Sequence, residues 1–163
     1  MNFQLLHLLA RIIKNLFSIR VRRDRSLKIL TKLLGRTYPR KKVRGLDLRG
    51  AQLRGMDLSR LDLRGANLSS ADLRGCIFNE TDLSNAKLIN ARIQGATFFR
   101  TNLNNTSLYY AGGQGATFCE CTMKNTDLRC AKLHGTLIEL CSMEGADIED
   151  ASFDGCRGKQ IFQ

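Results

Sequence analysis

Ala66-Asn67-Leu68-Ser69-Ser70-Ala71-Asp72-Leu73-Arg74-Gly75 is one unit of five residues written twice: a small residue, a polar residue, a leucine, then two positions that end here on serine and glycine. Read outward in both directions, the register runs unbroken from 41 to 155, through 23 blocks. The central position carries Leu48, Leu68, Phe78, Phe98, Phe118 and Ile138 among others, and from Val43 to Phe153 only Gly113 is not apolar. Two residues earlier, 19 of the 23 blocks place Ala, Cys or Thr, and ten of the fourteen glycines fall at the last position of a block.

A period of five decides the architecture. On a helix each step of five rotates the apolar residue by about 140° beyond a whole turn, so no apolar stripe survives. On a straight strand five is odd, and the apolar residue would change face at every block. The chain must therefore turn once per block. Glycine, with Asn85, Asn90, Asn105 and Asn125 at the same phase, marks the position where the turn takes a left-handed conformation. Phe78, Phe98 and Phe118 are spaced by twenty, with Leu58 before and Ile138 after. If bulky side chains stack from coil to coil, four blocks make a coil. Nearly six coils at about 4.8 Å each give a rod of about 27 Å. The small residue two positions earlier is needed because so narrow an interior holds no second large side chain.

Blocks such as Ala66–Ser70 and Ala71–Gly75 resemble the A(D/N)LXX unit of pentapeptide-repeat proteins. The resemblance spans residues 41–155. It implies an all-β solenoid, a right-handed quadrilateral β-helix with the central and small positions inward. It does not imply one activity. The family resembled includes topoisomerase-protecting proteins, which are acidic mimics of DNA, and secreted bacterial effectors. This sequence departs from the mimics. Acid is concentrated only in residues 136–155, where Glu139, Glu144, Asp147, Glu149, Asp150 and Asp154 occur without a basic residue, while Arg44, Arg49, Arg54, Arg64 and Arg74 occupy outward phases of the first coils.

The formal net charge of the 163-residue chain is +11, which invites a nucleic-acid or membrane partner. Its location narrows that reading. Residues 1–45 hold thirteen Lys and Arg against Asp24 alone, a net +12; the remainder is −1. Three segments follow: a basic amphipathic helical segment over 1–40, the repeat over 41–155, and a tail over 156–163. In the first, Phe3, Leu5, Leu6, Leu8, Leu9, Ile12, Ile13, Leu16 and Phe17 recur mainly at helical spacing, and a second helix is expected from Ser26 to Gly35. Arg11 and Lys14 interrupt an apolar stretch already too short to span a bilayer.

Three roles are open to this segment. It caps the open end of the solenoid; it lies on an anionic membrane surface through Arg11, Lys14, Arg20, Arg22, Arg23, Arg25 and Lys28; or it forms a nucleic-acid-binding arm. The last has no tyrosine or tryptophan among its basic residues before Tyr38, and a nucleic-acid partner does not suit the near-neutral coil. A tail this short leaves the last coil to be covered by Ile161 and Phe162 or by the last coil of a second copy, as a homodimer.

No catalytic, cofactor or metal site is expected. The aspartates before the central leucines, Asp47, Asp57, Asp62 and Asp72, are periodic and read as residues of the coil surface. His134 has no evident nucleophile partner, no Cys-x-x-Cys pair exists, and His7 is the only other histidine. Cys76, Cys121, Cys141 and Cys156 fall on the small inward phase and read as compact apolar residues, with a Cys121–Cys141 disulfide as the alternative; Cys119 and Cys130 fall outward. Gly113 in Ala111-Gly112-Gly113-Gln114-Gly115 leaves either a small void or a bulge, or else marks a bend or a contact made by Tyr109 and Tyr110. The expected protein is a non-catalytic binding or scaffold protein, cytoplasmic or peripheral at the inner membrane face, with an unidentified protein partner. A topoisomerase-interacting, gyrase-protecting protein is the alternative.

Overall fold

The structure, a computed structural model, describes residues 45–158. Most blocks end in a four-residue turn in which the amide of the next small residue donates to the carbonyl of the central one, as Ala51 does to Leu48 (3.1 Å) and Ala66 to Leu63 (2.9 Å). The last position of every block from Gly45 to Gly155 has positive φ. Glycine takes this conformation without a Cβ penalty. Thirteen blocks take it with another residue, including Arg60, Glu80, Tyr110 and Leu140, and none of the thirteen is β-branched. Turn geometry thus excludes the side chains that would suffer most there.

Because every block turns once, residues twenty apart come side by side. Parallel pairs form four ladders, one for each block of a coil: Asp47 through Asn67, Lys87, Ser107 and Asp127 to Asp147; Gln52 to Ser152; Asp57 through Ile77 and Thr97 to Arg157; and Asp62 to Ser142. The third ladder contains the three extended elements β1 (Thr97–Phe99), β2 (Thr117–Cys119) and β3 (Leu137–Glu139), paired in that order and all parallel. The chain is a β solenoid with twenty residues per coil. Arg157, beyond the last block, pairs with Leu137, and its carbonyl accepts from Ile138 (2.8 Å).

The inward leucines and phenylalanines fill one continuous core. Leu48, Leu68, Phe78, Phe98, Phe118 and Ile138 are all buried. The three phenylalanine rings lie nearly parallel with centroids 4.9 and 4.7 Å apart, the spacing of the coils themselves. The small positions pack beside them, and threonine and cysteine are admitted there for a specific reason. The hydroxyls of Thr81, Thr101, Thr106 and Thr126 donate to the carbonyls of Leu58, Phe78, Leu83 and Leu103, each 23 residues earlier, at 2.6–2.8 Å. Cys76 reaches the Leu53 carbonyl in the same way (2.9 Å). A buried hydroxyl without such a partner would be costly.

Neither a void nor a bulge forms at Gly113. The ladder passes through Gly112, which pairs with Arg92 and Lys132, and a Cβ placed on Gly113 would lie 2.6 Å from Leu133 Cδ2 and 3.3 Å from Ile93 Cδ1. The stacking neighbours have moved into the space that a side chain would take.

Candidate interaction surfaces

Residues on either side of an inward leucine point outward together. In the Asp-Leu-Arg blocks this sets a carboxylate beside a guanidinium, and the two pair: Arg49 with Asp47 (2.7 Å), Arg64 with Asp62 (2.6 Å), Arg74 with Asp72 (2.5 Å) and Arg129 with Asp127 (2.9 Å). Asp62 and Asp72, read from sequence as surface residues, are buried beneath their arginines. The Arg74 guanidinium holds the Asp72 carboxyl below its usual range, and Arg49 and Arg129 do the same for Asp47 and Asp127. A second set of pairs runs between coils: Arg60–Glu80 (3.3 Å), Arg100–Glu120 (2.7 Å), Lys124–Glu144 (2.6 Å) and Arg129–Asp147 (3.4 Å). Much of the coil's charge is therefore spent on itself. Arg49, Arg64 and Arg74 face carboxylates of their own blocks.

Two surfaces stand apart from this pattern. On one face Tyr109 and Tyr110 meet edge to face with centroids 4.6 Å apart, and the Arg129 guanidinium lies over the Tyr109 ring at 5.4 Å. Tyr110 is half exposed. Arg129 is held by Asp127 and Asp147, so the cluster is preset. Tyrosine and arginine on a fixed frame are the residue types enriched at the centres of protein interfaces.

The second surface is the last coil. Met143 and Phe153 are half-buried and Ile148 is exposed, whereas Leu48 and Leu53 of the first coil are buried. Leu140, at 60% exposure, lies beside this end, and its rim carries Glu144, Asp147, Glu149, Asp150 and Asp154.

The structure gives His134 partners that its sequence neighbourhood does not. Ser152 Oγ lies 2.9 Å from His134 Nδ1, and Asp154 Oδ2 lies 3.3 Å from the same nitrogen. Ser, His and Asp together suggest hydrolytic chemistry, but a base must face its nucleophile with one ring nitrogen and its orienting carboxylate with the other. Here both favour Nδ1, and Asp154 is 90% exposed. The twenty-residue coil was the available signal: Asp154 is one coil beyond His134.

All six cysteines are free thiols, with Cys76 and Cys121 buried and the other four half-buried, including the outward-phase Cys119 and Cys130. Among the described residues no group of three or more His, Cys, Asp or Glu is placed to hold a metal ion, and no helix is long and apolar enough to cross a membrane. Arg11, Lys14, Arg20, Arg22, Arg23, Arg25 and Lys28 lie outside the described residues, as do the expected N-terminal helices and Ile161 and Phe162.

The family model for pentapeptide repeats matches eight copies, over residues 44–79, 66–105 and 114–145. The chain belongs to the pentapeptide-repeat family. A trypsin-treated variant of QnrB1, a plasmid-mediated fluoroquinolone resistance protein, is similar at 16% identity and a TM-score of 0.40, covering 72% of this chain and 79% of that one. A pentapeptide repeat protein from Nostoc Pcc 7120 is similar at 25% identity and a TM-score of 0.38, covering 82% and 93%. Comparison with curated proteins finds no match.

Proposed function

We propose that this pentapeptide-repeat protein is a non-catalytic binding or scaffold protein, whose right-handed four-sided coil presents a protein-binding surface and whose basic N-terminal segment holds it at an anionic membrane surface or a partner. The observation that carries the reading is the partition of charge. The coil's arginines are largely matched by its own carboxylates, and the excess of +12 resides in residues 1–45. The preset Tyr109–Tyr110–Arg129 cluster supplies the protein-facing side. The buried first coil, set against the half-exposed last one, supports a second task for the N-terminal segment, that of covering the solenoid end.

Co-flotation of the full chain with lipid vesicles tests the membrane arm. Binding to vesicles containing phosphatidylserine and not to phosphatidylcholine alone is expected; equal behaviour with both contradicts it. The gyrase-protecting alternative requires a long acidic surface, and the acid here is gathered on one coil. Micromolar protein is expected to leave gyrase supercoiling unchanged.

A further inference from the structure

Cys121 and Cys141 occupy the small inward phase of successive coils, in one column with Thr81 and Thr101. The register fixes them side by side: Cys119 pairs with Glu139, Thr122 pairs with Ser142, and the Ser142 amide donates to the Cys121 carbonyl at 3.0 Å. Coil neighbours are about 4.8 Å apart, within the Cα separation of about 4.4–6.8 Å that a disulfide requires. Both side chains point the same way. Cys121 Sγ lies 3.2 Å from the Phe98 carbonyl oxygen, and Cys141 Sγ lies 3.4 Å from that of Phe118, the same contact one coil later. Cys121 is buried, while Cys141, on the half-exposed last coil, is only half-buried.

We propose that Cys121 and Cys141 are a reversible redox pair, which a hydroperoxide converts into a disulfide that staples the last coil to the one before it. The chemistry balances without a cofactor. The Cys141 thiolate attacks one oxygen of hydrogen peroxide and the O–O bond breaks; the departing hydroxide is protonated to water and Cys141 becomes a sulfenic acid. The Cys121 sulfur then attacks the Cys141 sulfur, the S–O bond breaks, and the leaving hydroxide takes the Cys121 proton as a second water. Each sulfur loses one electron, and the two peroxide oxygens gain the pair. The order of attack follows from the environments. The neighbouring Cys121 thiol holds that of Cys141 down at about 7, against the opposing effect of burial, and the neighbouring Cys141 together with burial pushes Cys121 far above the ordinary thiol range. The half-buried member is thus the nucleophile and the fully buried member the resolving thiol.

Peptide mapping of the folded, full-length protein after brief hydrogen peroxide treatment tests this. Lys124 and Lys132 separate the two cysteines under trypsin, so the staple joins the peptide 101–124 to the peptide 133–157, with the loss of two hydrogens. The joined peptide is expected within one chain, reversed by dithiothreitol, present in Cys119→Ser and absent in Cys141→Ser. Sulfinic acid at Cys141 with no joined peptide, a bond through Cys119 or Cys156, or a bond only between chains would each overturn the proposal. Fragmentation of the joined peptide from the unsubstituted protein places the bond among Cys119, Cys121, Cys141 and Cys156, so a variant that fails to fold does not remove the test.

Discussion

The last residue of each block shows how a backbone conformation is shared among unlike side chains. Gly95 has φ +63° and open space where a Cβ would sit. A substitution there reports conformational cost and not collision. Gly95→Ala is expected to lower stability by about 1 kcal/mol and Gly95→Val by more, since left-handed φ costs L-residues about 1–2 kcal/mol; urea unfolding of both variants checks this. Asp72 tests the ion pairs at the same scale. Its folded pKa is depressed by Arg74, so its contribution is present above the unfolded value of about 3.9 and is lost as pH falls through the lower folded value. Asp72→Asn is expected to flatten the acid limb of the stability curve below about pH 4. The pairing could have been read from sequence, because two residues flanking an inward leucine share a side. The burial of the aspartate could not, since it depends on where the arginine folds.

The block and its stacked neighbours form the element of this fold, and Gly113 shows that the consensus is not always the optimum. A void at Gly113 would be filled by Gly113→Leu, with a gain in stability. Leu133 and Ile93 already occupy that space, so Gly113→Leu is expected to destabilise by about 1–3 kcal/mol through overpacking. Thermal unfolding distinguishes the two signs. The phenylalanine stack tests the opposite case: Phe98→Ala removes a fully buried ring between two others and is expected to cost about 3–5 kcal/mol. The period of five and the spacing of the phenylalanines made the inward set and the four-block coil legible before any coordinates. The contacts between coils were harder to read. The threonine and cysteine bonds run to residues 23 positions back, and His134 meets Ser152 and Asp154 at separations of 18 and 20. Such partners are found only by applying the coil length to every polar side chain in turn. Leu133 and Ile93 closing over Gly113 follow from packing, which no periodicity encodes.

At the scale of the whole molecule, the net charge of +11 describes neither part of it. The coil is near neutral because its arginines and carboxylates face one another within blocks and between coils, and residues 1–45 carry the imbalance. The sequence shows where the charge lies, because that is a matter of counting. It does not show which coil charges are already paired, because that depends on the twenty-residue register. The central claim is that any electrostatic attachment belongs to the N-terminal segment and not to the rod. Vesicle co-flotation of two charge-reversed proteins tests it most directly: one with Arg20, Arg22, Arg23 and Arg25 changed to Glu, the other with Arg54 and Arg92 changed to Glu. The account predicts that the first protein loses phosphatidylserine-dependent flotation and that the second floats as the unsubstituted chain does. Loss of flotation in the second protein with retention in the first would contradict it.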